Sequence, residues 1–199
     1  MGTLSTFAKI IVCALIAVGG TPASAQDYKQ LRAWCYGDAT DDQTIQGCNA
    51  VVVSNKETPE DKGNALANRG LAYKNKGQLD RALDDYNEAV RLSPNTSNNY
   101  NLRGSGYDAV KQYDRAILDY DQALKLDPKS STAYNNRGLA YVHLGQFDRG
   151  IQDYTQAIKL NPLYVTAYNN RGLAYKQKGE PDLAKADFDV VDQLKKQGH

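Results

Sequence analysis

The last two-thirds of the chain repeat with a period of 34 residues. An Arg-Gly pair marks four copies of the unit and a proline marks three: Arg69-Gly70, Arg103-Gly104, Arg137-Gly138, Arg171-Gly172, Pro94, Pro128 and Pro162. A fixed period of this length is typical of a solenoid, in which each unit buries its apolar face only against its neighbours. The pattern therefore favours an extended stack of units that offers a surface for binding.

Several residue types recur at one spacing within each unit. The second unit reads Tyr100, Arg103-Gly104, Tyr107, Ala116, Tyr120, Ala123 and Pro128. This pattern resembles the tetratricopeptide repeat, a helix-turn-helix, over roughly residues 63 to 198. The family usually has leucine before the glycine, where this chain always has arginine. The resemblance implies an all-α fold, a right-handed α-solenoid of stacked antiparallel helix hairpins.

The period divides the chain into a signal segment, a divergent hairpin and four repeats. We expect these at residues 1–25, 26–62, 63–96, 97–130, 131–164 and 165–199, the last including a C-terminal cap. The divergent hairpin is predicted because Tyr28, Cys35, Ile45, Cys48 and Val52 stand 38 residues before Leu66, Tyr73, Leu83, Tyr86 and Val90. This offset leaves four extra residues in the connection to the first repeat. Lys185 and Asp192 replace apolar residues that face the next unit in the earlier repeats, as expected where the stack ends.

The N-terminus has the features of a secretory signal. Lys9 precedes the apolar stretch 10–18, and the small-x-small site Ala23-Ser24-Ala25 follows. An uncleaved anchor or a buried N-terminal helix is the alternative. Cleavage after Ala25 removes one lysine and no acid, so the formal net charge falls from +1 to 0. We therefore expect an exported protein, periplasmic or secreted, without membrane insertion and without the basic surface that nucleic acid needs.

Cys35 and Cys48 remain after cleavage, an even number in a compartment that permits disulfides. They replace the two tyrosines that face each other across the regular hairpins. Helices packed side by side bring facing Cα atoms into disulfide range, so we predict a Cys35–Cys48 bridge that staples the first hairpin. Two free buried thiols are the alternative.

Charged residues also recur with the period. An arginine precedes each glycine and an aspartate follows in the second helix, and we expect them to pair as a structural ladder: Arg69, Arg103, Arg137, Arg171, Asp85, Asp119, Asp153 and Asp187. A basic strip for acidic ligands is the alternative. A second set of aspartates is expected to cap the start of each second helix: Asp80, Asp114, Asp148 and Asp182.

In the tetratricopeptide repeat family, the first helices line a concave groove. The resemblance places these residues there: Asn64, Asn68, Leu71, Asn98, Ser105, Thr132, Asn136, Leu139, His143, Thr166, Asn170 and Leu173, with Asn75, Leu102, Ala109 and Gln177 in the same rows. Asn68, Asn136 and Asn170 resemble the asparagine ladder of the O-linked N-acetylglucosamine transferase repeats, interrupted here by Leu102. Amide side chains both donate and accept, so this lining suits an extended peptide. Asparagines that only solvate the surface are the alternative.

The sequence contains few residue patterns that are typical of an enzyme active site. His143 and His199 are the only histidines, and neither has a second ligand at metal spacing, so we expect no catalytic residue, metal or cofactor. The preferred interpretation is a monomeric scaffold that binds a protein or extended peptide and supports envelope complexes. A self-associating assembly factor, or an accessory subunit of a cell-wall-acting enzyme, are the alternatives; a cluster of acids around His143 would favour the latter.

Overall fold

A computed structural model describes residues 25–198, which form ten α-helices and no strand within that range. The helices make five hairpins: α1 (Ala25–Tyr36) with α2 (Asp41–Val53), α3 (Pro59–Asn75) with α4 (Leu79–Leu92), α5 (Ser97–Ala109) with α6 (Tyr113–Leu126), α7 (Ser131–His143) with α8 (Phe147–Leu160), and α9 (Val165–Lys178) with α10 (Pro181–Lys196). The predicted signal segment lies outside the described residues except for its last residue, Ala25. The expected all-α stack of hairpins is confirmed.

The helices follow the period of the sequence. α5, α7 and α9 begin at residues 97, 131 and 165, and α4, α6, α8 and α10 begin at residues 79, 113, 147 and 181, in steps of 34. α3 departs from this rule because it begins at Pro59 rather than at residue 63, where the first repeat was expected to start. The extra residues therefore mostly add a helical turn to α3 instead of lengthening the connection.

A capping box holds this extra turn of α3. The Thr58 hydroxyl accepts a hydrogen bond from the Asp61 backbone N–H at 3.1 Å, and the Thr58 backbone N–H donates to the Asp61 carboxylate at 3.2 Å. The hydrogen bonds from the Thr58 side chain and backbone lower the pKa of the Asp61 carboxyl. The box satisfies N–H groups that a helix start otherwise leaves without a partner.

The pattern of contacts between helices makes the stack curved. Each helix packs on the next one along the chain, and the first helices of successive hairpins also contact each other. Within residues 25–198, no second helix contacts another second helix. The first helices are therefore crowded on the inner, concave side, and the second helices diverge on the outer side.

Close approach at the glycine of each Arg-Gly pair joins the two helices of a hairpin. A Cβ atom at Gly70 would lie 2.7 Å from the Tyr86 ring, and one at Gly172 would lie 2.8 Å from the Phe188 ring. Tyr86 is completely buried. A glycine in a helix interior costs about 1 kcal/mol, and here it creates the space that the ring fills.

The predicted aspartate caps are wrong. The cap positions are held by Gln78, Gln112, Gln146 and Glu180, none of which forms a side-chain cap hydrogen bond. Asp80 and its three counterparts lie two positions further on, inside the first turn. They still place a negative charge near the positive end of the helix dipole, which is favourable there.

One turn between helices differs in its residue type. Gly77, Gly145 and Gly179 have φ angles of 72°, 72° and 86° at the equivalent position of the turn in the first, third and fourth repeats. The second repeat has Lys111 there, with a φ angle of 61°. A side chain disfavours this left-handed conformation, so the second turn carries backbone strain that the others avoid.

Candidate partner-binding groove

The predicted groove residues lie on α3, α5, α7 and α9, the first helices of the four repeats, which are crowded on the concave side of the stack. Leu71 and Leu173, which are equivalent in the first and fourth repeats, are 37% and 43% exposed. Leu139 is half-buried between them, and Ser105 holds the same position in the second repeat. The middle of the groove is therefore a row of partly exposed apolar side chains interrupted by one hydroxyl.

Four asparagines form a continuous chain of hydrogen bonds across three first helices. Asn170 Nδ2 donates to Asn135 Oδ1 at 3.0 Å, Asn135 Nδ2 donates to Asn136 Oδ1 at 3.3 Å, and Asn136 Nδ2 donates to Asn101 Oδ1 at 3.1 Å. All the bonds run in the same direction, from α9 through α7 to α5. The half-buried Asn136 and Asn170 each retain a second N–H and a further lone pair on the oxygen, so they can both donate to and accept from a ligand.

Two members of this chain were not among the predicted groove residues. Asn101 and Asn135 precede the predicted positions by one residue and are buried, with exposures of 9% and 4%. Their signal was present in the sequence, because asparagine recurs there with the 34-residue step, also at Asn169. Asn136 and Asn170 of the predicted ladder are thus hydrogen-bonded to a second, buried row that contains Asn101 and Asn135.

At the first repeat the chain of amides ends. Asn68 Nδ2 donates instead to the backbone oxygen of Cys35 at 2.9 Å. Leu102, which interrupts the ladder in the second repeat, packs against Leu66 and Tyr86 in the core. Among the described residues no hydrogen bond joins the outer row of Asn64, Asn98, Thr132 and Thr166.

A charged group that the sequence analysis missed reaches the groove. Lys74 Nζ donates to Ser105 Oγ at 2.7 Å, so a cationic side chain lies beside the predicted groove residues. Burial lowers the pKa of the Lys74 ammonium, and the nearby Asp108 carboxylate opposes this shift. Lys74 was overlooked because it lies one position from the predicted row.

His143 contacts one acid in the groove. His143 Nδ1 lies 3.3 Å from Asp108 Oδ1, and the Tyr113 ring centroid is 4.7 Å from that of His143. Burial raises the pKa of the Asp108 carboxyl, and His143 opposes this shift. A single carboxylate is not the cluster of acids that would favour an enzyme, and no group of three or more potential metal ligands lies within residues 25–198.

Family models match most of the repeated region. A model described as "TPR repeat" matches residues 109–145 and 138–179, and models described as "Tetratricopeptide repeat" match residues 63–96 and 165–197. The chain belongs to the tetratricopeptide repeat family. No curated protein matches it significantly in sequence.

Solved structures titled as MamA are similar to this tetratricopeptide repeat protein. "MamA 41-end from Desulfovibrio magneticus RS-1" matches with a TM-score of 0.72 at 23% identity, covering 86% of this chain and 95% of that one. "Crystal structure of MamA" matches with a TM-score of 0.67 at 25% identity, covering 79% of this chain and 90% of that one. These similarities support the fold of the stacked repeats.

The arginine of the Arg-Gly pair joins the two helices of every tetratricopeptide repeat. In each repeat, arginine Nε donates to aspartate Oδ2 at 2.8–2.9 Å, and Nη2 donates to Oδ1 at 2.6–2.7 Å. The pairs are Arg69–Asp85, Arg103–Asp119, Arg137–Asp153 and Arg171–Asp187. The aspartates are buried, and hydrogen bonds to them raise the pKa of each arginine. Planar two-point pairing of this kind suits arginine but not lysine.

The same arginines also link each repeat to the one before it. Arg137 Nη1 donates to Asp121 Oδ1 on α6 at 2.7 Å, and Arg171 Nη1 donates to Thr155 Oγ1 on α8 at 3.0 Å. Arg69 Nη1 likewise donates to Asn49 Oδ1 on α2. Because their donors are used inside the fold, these arginines do not form an open basic strip.

The first hairpin has a different cross-link. Cys35 and Cys48 lie at disulfide distance, with their Cα atoms 4.6 Å apart, and both are buried. They connect α1 to α2 at the positions where tyrosines pack in the repeats.

None of the helices within residues 25–198 is both long enough and apolar enough to cross a membrane.

Proposed function

We propose that this protein is an exported scaffold that binds an extended segment of a protein partner in its concave groove and so supports protein complexes of the cell envelope. The observation that carries the proposal is the directional chain of amides from Asn170 to Asn101. A peptide backbone presents alternating N–H and C=O groups, and amides with unused donors and acceptors can bind both. Because neighbouring amides hold one another in place, binding costs little side-chain ordering.

Export to the periplasm is the second part of the proposal. The signal features of residues 1–25 and the cysteine pair at disulfide distance support it. Intact-mass analysis of the protein from its native cell checks both features at once. We expect a chain that begins at Gln26 and has no free thiol; a chain that retains Lys9, or that reacts with two equivalents of alkylating reagent, contradicts this part.

The scaffold is proposed to act as a monomer without catalysis. Lys185 and Asp192 are exposed on α10, the outer helix of the last repeat. Lys185 forms an ion pair with Asp189 on the same helix at 2.6 Å. Light scattering over a hundredfold concentration range should give a constant monomeric mass; a mass that rises with concentration would favour the self-associating alternative.

A crosslinking pull-down from the native cell envelope tests the groove. We expect the wild-type protein to capture a defined partner, and the Asn136→Ala/Asn170→Ala variant to capture at least about tenfold less, since each lost hydrogen bond contributes ~1 kcal/mol. Gln152→Ala, which removes an exposed amide from the second helix α8, is the matched control and should capture as the wild type does. Equal capture by all three proteins would refute binding through the amide chain.

A further inference from the structure

The groove contains a pocket of about 300 Å³ at its N-terminal end. It lies between the turn that joins α1 to α2 and the exposed face of α3. Cys35, which lines it, occupies the position that Tyr73 fills in the first repeat.

Three oxygens that line this pocket are unused hydrogen-bond acceptors. Asn68 turns its Nδ2 to the backbone oxygen of Cys35 at 2.9 Å, and Asn75 turns its Nδ2 to Asp41 Oδ1 at 3.1 Å. Among the described residues, the two amide oxygens and Asp41 Oδ2 have no hydrogen-bonded partner. A positively charged group that donates hydrogen bonds suits Asp41 Oδ2 and the amide oxygen of the neighbouring Asn75.

The charges around the pocket favour a cation. Asp41 supplies a carboxylate to the lining, and the lining contains no lysine, arginine or histidine. Lys76, which follows Asn75 in the chain, pairs with Asp42 at 2.7 Å and leaves Asp41 uncompensated by that side chain. The pocket thus offers a local negative charge in a groove that is otherwise nearly neutral.

The apolar part of the lining suits an aliphatic chain. Leu71 and Ala72 on α3, together with Tyr36 and Cys35 on α1, provide this surface. Lysine and arginine have such a chain below a charged head, and they bury the chain along apolar surface while the head reaches polar partners.

We propose that this pocket binds one lysine or arginine side chain of the partner segment. The inference rests on the proposed function for the identity of the ligand. The cationic head contacts Asp41 and Asn75, and the aliphatic chain lies against Leu71, beside Asn68. The pocket thereby fixes the position of the segment at one end of the groove.

The test uses a single amino-acid derivative, so it does not require the partner. Nα-acetyl-arginine methylamide is titrated into the full mature protein, and the side-chain amide signals of Asn68 and Asn75 are followed by NMR. Its citrulline counterpart has nearly the same shape and no charge. We expect saturable shifts with the arginine derivative and binding about five- to tenfold weaker with the citrulline derivative, as expected for loss of one charge-assisted contact.

Three variants complete the experiment. Asp41→Asn should remove the preference for arginine over citrulline, and Leu71→Trp should fill the pocket and abolish binding of both. Leu173→Trp, the equivalent change in the fourth repeat, should bind as the wild type does. Circular dichroism confirms that each variant is folded; Asp41→Asn with an unfolded spectrum is replaced by Asp41→Ser.

Two results would overturn the pocket proposal: equal binding of the arginine and citrulline derivatives, or the absence of saturable shifts at Asn68 and Asn75. The outcome is separable from that of the proposed function. If the derivative binds but the groove captures no partner, the pocket stands and the scaffold function fails. If the groove captures a partner through Asn136 and the derivative does not bind, the scaffold function stands and the pocket fails.

Discussion

The first hairpin and the four repeats hold two antiparallel helices together by different means. In the repeats, a two-point arginine–aspartate pair spans the helices, and an aromatic ring packs over a glycine. Arg137 with Asp153, and Gly138 with Tyr154, are one such set. These contacts recur in all four repeats, including the last one, which has a neighbouring hairpin on one side only within residues 25–198.

The first hairpin has neither the arginine–aspartate pair nor the aromatic ring packed over a glycine. Leu31 and Gly47 stand 38 residues before Arg69 and Asp85, at the positions of the ion pair. A Cβ atom at Gly47 would lie within van der Waals overlap of the Leu31 backbone oxygen, so the two backbones nearly touch. Among the described helices α1 contacts only α2 and α3, and the cross-link at Cys35 holds it to α2. The comparison teaches that this N-terminal hairpin uses a local covalent link where the repeats, including the terminal fourth one, use recurring non-covalent contacts.

The largest effect should come from breaking an ion pair in a repeat. Arg137→Leu leaves the buried Asp153 carboxylate without its partner, and we expect a loss of about 3–5 kcal/mol in the free energy of unfolding. Asp121→Asn removes the charge of the other, half-exposed partner of Arg137 but keeps an oxygen that can accept from Nη1, as Asn49 does for Arg69. It should cost less than about 1 kcal/mol. Denaturant unfolding measures both.

A double variant sharpens this result. Arg137→Leu/Asp153→Leu removes both charges, so it should recover most of the stability lost by Arg137→Leu alone, because no charge stays buried. If the double variant is as unstable as Arg137→Leu, the lost stability comes from the packing of the arginine side chain and not from the unpaired Asp153 charge. The ion pair would then not be what distinguishes the repeats from the first hairpin.

The next largest effect should come from the staple. Cys35→Ser/Cys48→Ser opens a bridge with a sequence separation of 13 residues. The chain-entropy model gives a stabilisation of about 3 kcal/mol for a loop of this size. Hydrogen exchange should increase in α1 and α2 while α7 to α10 keep their protection. Equal loss of protection in all helices would mean that the first hairpin is not a local unit.

A smaller effect should distinguish the repeats from one another. Lys111→Gly relieves the left-handed backbone of the second turn, and we expect a gain of about 1 kcal/mol. Gly145→Lys, the reverse change in the third repeat, should lose a similar amount, since an added Cβ there meets no atom within 4 Å and only the backbone is strained. Thermal unfolding of the two variants gives the comparison; opposite signs are required.

The smallest effect concerns the groove at different pH values. Burial raises the pKa of the Asp108 carboxyl in the folded protein, so the protonated carboxyl is favoured by folding. Its contribution to the free energy of unfolding is fully present below the unfolded pKa of about 3.9 and is lost as the pH rises through the folded pKa. Asp108→Asn should therefore melt at a higher temperature than the wild type at pH 7 and at the same temperature near pH 3. A destabilised variant at pH 7 would show that the contact with His143 outweighs burial.

Much of the architecture could be predicted from the sequence because the same residue types recur at the same spacing in every repeat. Arg69 and Asp85 recur at one spacing four times, so their partnership could be inferred without coordinates. The caps could not be inferred, because Gln78 and Asp80 are both polar and the boundary depends on backbone geometry. Lys74 escaped notice for a related reason: its long chain reaches Ser105 from a position outside the predicted row.

Site-specific photo-crosslinking tests the central claim most directly. A photoreactive amino acid is placed at Leu173 on the concave first helices, or at Leu118 on the second helix α6, where the side chain is 69% exposed. In the native envelope we predict one discrete crosslinked partner from position 173 and none from position 118. A partner captured only from position 118 would contradict the account, because binding would then occur on the outer side of the stack.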